Sequence, residues 1–362
     1  MDQIGRRTVT SLSVGLVAII ILLVTIGQQP SAGQVANNTP NQAQAQVSGI
    51  LFLRNPAQQA ELWRSDANGQ GQQLLVPQVS DYSLSPDGRK VAYATQAEAQ
   101  PSRIEMFDLT QNQVITSTGS ADWTGYTPNW SPADGVIVYE RRTISTGGVG
   151  SPKLWLMQPD GTQVSPVVKG GDVVTFGAHW SNTGRLLGFT DPLRNELVLF
   201  DFSDVLRRIP FSGDFDWSPD DQRLVISVLR ESQAGFRNEL ILFDLMTEQQ
   251  TPLTSQTDTD DFTPVWSPDG TKIAFVRRTR EVPRGEIWVV NADGSEPRAI
   301  TAGGGYDNVD PQWTPDSQQL LWTRLTVGSA NVPSAIWTVN LAENSEPRVL
   351  IENATQARWI VE

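Results

Sequence analysis

Short apolar runs separated by polar turns fill the chain from residue 48 onward. In the stretch WSPDGTKIAF, which starts at Trp266, a polar turn precedes the apolar run 272–276. The proline and the glycine of Ser-Pro-Asp-Gly suit a type I turn that ends in a positive φ. An apolar, partly β-branched run of this length predicts a strand that is buried on both faces. The stretch therefore predicts a strand, a tight turn and a second strand.

The same pattern occurs six times, which makes it a structural unit rather than a single catalytic loop. The copies are LSPDGRKVAY from Leu84, WSPADGVIVY from Trp130, WSNTGRLLGF from Trp180, WSPDDQRLVI from Trp217, WSPDGTKIAF from Trp266 and WTPDSQQLLW from Trp313. Successive copies start 37 residues apart (Trp180 to Trp217) to 50 residues apart (Trp130 to Trp180). A unit that recurs at such a period indicates a repeat architecture.

Two further strand signals follow each copy. The first is an apolar run, seen at 104–109, 154–161, 197–202, 240–245, 287–294 and 336–341. The second is a weaker final strand, as at 297–301 and 347–351. Helical periodicity is absent after residue 47, so we predict an all-β fold. Four short antiparallel strands in a repeat of about 40 to 50 residues are typical of a β-propeller blade.

The W-S-P-D-G turn followed by K-I-A-F resembles the TolB-like propeller repeat, also called the PD40 or WD40-like repeat. The resemblance extends over nearly all of residues 48–362. It implies a β-propeller of four-stranded antiparallel blades. It implies little about activity, because propellers carry many functions.

The two ends of this region predict how the propeller closes. The runs at 50–54, 61–70 and 72–76 match the second, third and fourth strands of a repeat, with no first strand before them. The final stretch 357–362 matches a first strand, since Trp359 lies 46 residues after Trp313. We expect strand 357–362 to join the strands of 48–76 in one composite blade. Six continuous blades and this composite give seven, with the six blades of TolB itself as the alternative.

The N-terminus predicts a membrane anchor followed by a tether. Residues 9–27 are uncharged and mostly apolar, a length that falls between a signal-peptide core and a spanning helix. We favour an uncleaved anchor over residues 1–27, with a signal peptide as the alternative. Arg6 and Arg7 predict that the N-terminus stays in the cytoplasm and that the propeller lies outside the cytoplasmic membrane, in the periplasm or at the cell exterior. The Gln- and Asn-rich segment 28–47 predicts a flexible tether.

Composition narrows the classes of partner. With 27 Lys and Arg against 40 Asp and Glu, the chain has a formal net charge of −13, which argues against nucleic acid. No cysteine is present, so disulfides, cysteine-ligated metals and thiol catalysis are excluded. Acidic segments at 258–261 and 306–310 raise calcium as a possible ligand. Neither matches the EF-hand pattern, and we expect no cofactor.

The sequence contains few candidate catalytic residues. His179 is the single histidine, and no G-x-S-x-G elbow accompanies it. Peptidases that combine similar propellers with a hydrolase domain carry their catalytic residues outside the propeller. Propellers that resemble this one and act as pectin-fragment lyases hold a metal through several histidines, which this chain lacks. We therefore expect no enzymatic activity, with a hydrolase or a lyase as the least favoured alternative.

The residue before each motif Trp or Leu is the best candidate for a binding surface. First strands line the central channel of a propeller, and side chains alternate along a strand. If the Trp packs between blades, its predecessor faces the channel. The candidate site residues, taken with the acidic residues upstream, are Asn129, His179, Asp214, Asp216, Asp310, Gln312 and Arg358.

These patterns together predict a non-catalytic propeller that binds another protein in an envelope or membrane complex. The alternative is a sensor or binder of a small molecule or glycan fragment in the channel. A pocket lined by His179, Asp216 and Arg358 would favour the alternative. Joint exposure of Trp123 and Tyr126 would favour protein binding.

Overall fold

The computed structural model describes thirteen segments of the chain: residues 47–54, 59–96, 100–133, 135–169, 174–203, 205–211, 213–232, 235–256, 258–279, 281, 284–326, 334–341 and 345–361. The predicted anchor over 1–27 and all of the predicted tether except Val47 lie outside these residues. Within the described residues, no helix is long and apolar enough to cross a bilayer.

Seven antiparallel sheets form the blades of the propeller, which confirms the seven-bladed prediction and excludes the six-bladed alternative. The first blade contains β4 (Val79–Leu84), β5 (Lys90–Thr95), β6 (Ile104–Asp108) and β7 (Gln113–Thr118). The second contains β8 (Trp123–Trp130), β9 (Ile137–Ser145), β10 (Gly148–Val149), β11 (Lys153–Met157) and β12 (Ser165–Pro166). The third contains β13 (Phe176–Trp180), β14 (Leu187–Asp191), β15 (Glu196–Phe200) and β16 (Val205–Ile209).

The remaining blades follow the same order of strands from the channel outward. The fourth contains β17 (Phe215–Trp217), β18 (Arg223–Ser232), β19 (Gly235–Asp244) and β20 (Gln250–Pro252). The fifth contains β21 (Thr259–Trp266), β22 (Lys272–Thr279), β23 (Glu286–Asn291) and β24 (Arg298–Ala299). The sixth contains β25 (Tyr306–Trp313), β26 (Gln319–Thr326), β27 (Ser334–Asn340) and β28 (Arg348–Glu352).

The composite blade joins the two ends of the described chain. It contains β29 (Thr355–Val361), β1 (Val47–Arg54), β2 (Glu61–Ser65) and β3 (Gln73–Val76), in that order. β29 pairs antiparallel with β1, with Trp359 opposite Ile50 and Val361 opposite Val47. The hydroxyl of Tyr82 on β4 donates to Leu51 O at 2.9 Å and also to Gln356 O, so the first blade holds both strands of the junction.

The repeated turns are closed by their own side chains. In the fifth blade, Ser267 Oγ donates to Asp269 Oδ1 at 2.6 Å, and Asp269 Oδ1 accepts the N–H of Thr271 at 2.9 Å. Gly270 has a φ of 73°, a conformation that glycine adopts without a steric cost. This four-residue turn, 267–270, therefore fixes the register in which β21 pairs with β22.

Two ends of the propeller can be distinguished from this topology. One end, the turn face, carries the turns between the first and second strands of each blade. The opposite end, the loop face, carries the connections between the second and third strands. Between the two faces, the apolar side chains of neighbouring sheets form seven clusters, such as the one that contains Trp266, Phe275 and Val290 with Val225 of the fourth blade.

Candidate functional site

The first strand of each blade is the inner strand; these are β4, β8, β13, β17, β21, β25 and β29. Most of them share a local irregularity three residues before the Trp that opens the repeated motif. Register shifts interrupt the pairing of most inner strands at this point, for example between Phe262 and Val265 in β21. Five inner strands place the third residue before the motif Trp in the left-handed region: Thr127 (φ 44°), Gly177 (63°), Thr263 (43°), Asp310 (56°) and Gln356 (52°). Four of these are not glycine, so their conformation costs about 1–2 kcal/mol each. Such bulges re-aim the side chains beside them.

Six of the seven predicted site residues lie on the inner strands, and Asp214 immediately precedes β17. The motif residues Trp130, Trp217, Trp266 and Trp313 are buried between blades. Their predecessors are half-buried or exposed; these are Asn129, Asp216, Val265 and Gln312, with Ser83, His179 and Arg358 in the other blades. Asp214 and Asp310 lie three residues before Trp217 and Trp313, and of these two only Asp310 has a left-handed φ.

Several of these polar side chains bind the backbone of a neighbouring blade. The hydrogen bonds are Trp130 N to Ser83 Oγ (3.0 Å), Asn129 Nδ2 to Ala178 O (2.9 Å), Thr263 N to Asp214 Oδ2 (3.1 Å) and Trp266 N to Asp216 Oδ2 (2.8 Å). The indole N–H groups add a second set, from Trp180 to Asn129 O (3.1 Å), Trp217 to His179 O (3.3 Å) and Trp313 to Val265 O (3.1 Å). These hydrogen bonds join consecutive blades. We call the seven inner strands together the inner ring.

Arg358 joins the last inner strand to the one before it. Its Nη1 lies 2.9 Å from Asp310 Oδ2, and the two side chains are 39% and 28% exposed. Burial lowers the pKa of Arg358, but the charges of Asp310 and its neighbours outweigh this effect and hold the pKa above its usual value. Burial also raises the pKa of Asp81, which the N–H of Tyr82 and the charge of Arg358 partly oppose.

Burial shifts the pKa values of His179 and Asp216 in opposite directions. Burial raises the pKa of Asp216 to about 7, although the N–H groups of Trp266 and Trp217 oppose the shift. Protein atoms crowded around His179 lower its pKa, and Asp214 opposes this. The His179 ring packs on Phe215 with a centroid distance of 5.1 Å. We therefore expect a neutral His179 and a partly protonated Asp216 at neutral pH.

Two carboxylates of the acidic segment 258–261 bind other groups of the protein. Asp261 makes a bidentate pair with Arg277, at 2.7 Å to Nε and 2.8 Å to Nη2, and both side chains are buried. Asp260 Oδ1 accepts the N–H of Asn238 at 2.7 Å. Within the described residues, no group of three or more His, Asp or Glu side chains is arranged to hold a metal ion.

Trp123 and Tyr126 are not exposed together, so this condition that would favour protein binding is not met. Trp123 is 7% exposed, and its ring packs on Tyr139 at 5.9 Å beneath the guanidinium of Arg141 at 4.6 Å. Tyr126 is half-buried. Both residues belong to β8 rather than to a loop on a face.

An arginine stacked on a tryptophan recurs in four blades. In the second, fifth, sixth and composite blades, the second strand carries an aromatic residue followed two positions later by Arg. The third strand carries a Trp beneath that guanidinium. The pairs are Arg141 on Trp155 (4.3 Å), Arg277 on Trp288 (4.6 Å), Arg324 on Trp337 (3.6 Å) and Arg54 on Trp63 (4.5 Å). The cation–π contacts cover the blade cores towards the loop face. Recurrence of aromatic-x-Arg in the sequence is the signal that reveals them.

A polar groove lies on the turn face between the composite and first blades. Its volume is about 900 Å³, and its lining includes Ser48, Arg64, Asp66, Asp87 and Arg89. None of the predicted site residues lines this groove. Asp66 and Asp87 accept backbone N–H groups of their own turns, so their carboxylates serve the turns first.

Comparison with known proteins confirms the class that the repeats predicted. The fold is a seven-bladed β-propeller, and residues 208–359 match the family model of the TolB beta propeller domain, PD40. This match supports the predicted TolB-like repeat over residues 208–359, which are less than half of the chain. No curated protein matches the sequence.

Solved structures show the same fold at low sequence identity. TolB from Acinetobacter baumannii is 15% identical with a TM-score of 0.52, covering 86% of this chain and 66% of that one. A prolyl endopeptidase is 12% identical with a TM-score of 0.63, covering 88% of this chain and 49% of that one. The β-propeller domain of the Trilobed protease from Pyrococcus furiosus is 11% identical with a TM-score of 0.57, covering 80% and 86%.

These likenesses establish the fold and leave the activity open. The chain spans less than two thirds of the TolB and about half of the prolyl endopeptidase. The Pyrococcus domain is described as having an open velcro topology, whereas β29 and β1 pair in this chain. Since two of the three similar structures are parts of proteases, the fold alone does not separate binding from catalysis.

Proposed function

We propose that this chain is a non-catalytic, membrane-tethered propeller that binds another protein as a subunit or scaffold of an envelope or membrane complex. The observation that carries the proposal is the use of the inner ring for holding blades together. Hydrogen bonds and one ion pair connect neighbouring inner strands through the side chains of Ser83, Asn129, Asp216 and Arg358. The two broad faces are then the surfaces that remain for a partner.

The location of the propeller follows from its N-terminal sequence. The apolar stretch 9–27 anchors the chain in the cytoplasmic membrane, and Arg6 and Arg7 keep the N-terminus in the cytoplasm. The propeller then lies on the extracytoplasmic side, behind the tether 28–47. β1 starts at Val47 on the turn face, where it pairs with Val361.

Native membranes provide the test of both parts of the proposal. A protease added to intact spheroplasts is expected to cut within 28–46 and release a folded propeller; full protection of that segment would place the propeller in the cytoplasm. A tagged full-length chain, purified in a mild detergent, is expected to bring down one protein partner in a fixed ratio. Purification of the chain alone, even after cross-linking in cells, would contradict protein binding.

A second candidate function is binding of a small molecule or glycan fragment in the channel. Exposure of His179 and Asp214 on neighbouring inner strands favours it. A bound oligosaccharide or small anion that dissociates from a His179→Ala variant, with unchanged Tm, would support this candidate. Turnover of a substrate that depends on His179 would instead establish an enzyme.

A further inference from the structure

The second and third strands of the fourth blade pair over a longer stretch than those of the fifth blade. β18 and β19 are each 10 residues long and pair from Arg223 opposite Asp244 to Ser232 opposite Gly235. In the fifth blade, the matching ladder ends at Arg277 opposite Glu286, which corresponds to Val228 opposite Glu239. The fourth blade therefore continues for four more residue pairs, about 14 Å at the usual rise per residue. We call residues 229–232 and 235–238 the ribbon.

The two sides of the ribbon differ in how they are covered. On one side, Arg230 and Arg237 lie opposite each other, and both pair with Glu239, at 3.2 and 2.9 Å. Arg230 also stacks on Phe211 at 5.2 Å. Two guanidinium groups therefore share one carboxylate on this side of the ribbon, and Arg230 packs against the propeller.

The other side of the ribbon presents apolar surface to water. Glu231 lies opposite Phe236, and Leu229 is two residues before Glu231, so the three side chains share this side. Leu229 is 61% exposed and Phe236 is 65% exposed. Residues at such diagonal positions are close enough for large side chains to form one patch. A two-stranded hairpin is only marginally stable by itself, and the exposed side chains of Leu229 and Phe236 add little to its stability.

Two acidic side chains lie on or beside the ribbon. Glu231 is exposed on the same side as Leu229 and Phe236. Asp260 on β21 accepts the N–H of Asn238, which lies opposite Leu229. The chain as a whole carries a net charge of −13. The charge that complements this surface is positive.

We propose that the ribbon side formed by Leu229, Glu231 and Phe236 is the docking surface for a segment of the partner protein that carries apolar residues flanked by Lys or Arg. This inference rests on the proposed function and specifies its surface and chemistry. Leu229 and Phe236 supply the apolar contact, and Glu231 with Asp260 attracts the basic flanks. An anionic lipid surface does not fit, because the same carboxylates repel it.

Site-specific photo-cross-linking of the full-length chain in native membranes tests this surface. A photoreactive residue replaces Phe236, and in separate variants it replaces Leu193 or Met246, which are 68% and 83% exposed. Leu193 lies on the loop face of the third blade, and Met246 lies on the turn-face side of the fourth blade. We expect a protein adduct from position 236 and none from position 246. A lipid adduct at position 236 would overturn the proposal.

The pattern of adducts separates this inference from the proposed function. Protein adducts at position 193 or 246 without one at position 236 would refute the ribbon and leave protein binding intact. Equal adducts at all three positions would refute the ribbon as a specific surface. Absence of protein adducts from every position would count against both proposals.

Substitutions test the chemistry of the partner. Phe236→Thr and Leu229→Thr keep a strand-forming residue, and each is expected to lower the amount of partner that co-purifies by about fivefold. Leu193→Thr is the matched control, because it removes a similarly exposed apolar side chain outside the ribbon. Glu231→Lys is expected to weaken binding and to reduce its dependence on salt. Binding that survives Phe236→Thr, or that Glu231→Lys strengthens, would overturn the proposal.

Discussion

Arg358 and Asp310 form an ion pair across the boundary between the composite blade and the sixth blade. Their charged groups lie 2.9 Å apart on neighbouring inner strands, and Arg358 Nη1 also donates to Ala357 O at 2.9 Å. The charge of Asp81 on the first inner strand also acts on Arg358. The guanidinium therefore joins two successive inner strands where the propeller closes, and its charge also acts on Asp81 of the next one.

Removing that guanidinium is expected to weaken the closure. Arg358→Gln leaves Asp310 and Asp81 without their shared cation, so we expect the free energy of unfolding to fall by about 1 kcal/mol, a modest value because the pair is partly exposed. Urea denaturation of the purified propeller measures the change. Arg348→Gln, on the exposed β28, is the matched control. Equal, negligible effects of both substitutions would contradict a structural role for Arg358.

The pairing of β29 with β1 predicts a second effect on closure. Deleting residues 355–362 removes the inner strand of the composite blade and exposes the edge of β1. An exposed edge pairs with other chains, so we expect a lower Tm and aggregation. Light scattering and thermal denaturation test this. A monomeric truncated protein with an unchanged Tm would disprove the closure; removing Glu362 alone is the control.

Asp216 predicts a pH-dependent stability. Its pKa rises from 3.8 in the free residue to about 7 in the folded chain, so the folded state holds the proton more tightly than the unfolded state does. The stability from this group is complete below pH 3.8 and is lost as the pH rises to about 7. Asp216→Asn removes the titration and keeps an acceptor for Trp266 N. The advantage of the variant over the wild type should grow across that window and then level off.

Thermal denaturation from pH 4 to pH 8 distinguishes this outcome from a solvated carboxylate. A group that faces bulk water would give the same difference between variant and wild type at every pH in this range. Asp214→Asn is the control, because Asp214 is exposed and lies two residues before Asp216.

The buried pair Asp261–Arg277 predicts non-additive substitutions. Asp261→Asn leaves a buried guanidinium without its counter-ion, and we expect a loss of about 3–5 kcal/mol. Arg277→Met leaves the carboxylate buried alone, with a similar cost. The double variant should lose much less than the sum of the two, because no uncompensated charge remains. Additive losses in a double-mutant cycle would contradict the pairing.

The repeat period and the turn chemistry predict most of this fold. Trp266 and the Ser267–Gly270 turn are both readable from local sequence, because burial and positive φ leave clear residue preferences. The left-handed Thr127 and Thr263 are not readable in this way, since a β-branched residue is disfavoured there. Packing of neighbouring blades imposes that conformation.

The site was predicted less completely than the fold. The alternation before each Trp places Asn129, Asp216 and Arg358 on the inner strands. It does not reveal that Asn129 reaches Ala178 O or that Asp216 reaches Trp266 N, because those bonds join residues about 50 positions apart and depend on how blades stack. The sequence does not reveal the length of the ribbon, because its Arg and Glu residues interrupt the apolar pattern that predicts a strand.

The inner ring holds the blades together, and a face of the propeller binds the partner; this is the central claim. The most direct test is the amount of partner that co-purifies with full-length chain carrying both His179→Gln and Asp216→Asn. We expect the same amount as with the wild type, since both substitutions lie in the channel and leave the faces unchanged. Loss of the partner from this double variant, with a Tm equal to or above that of the wild type, would contradict the claim.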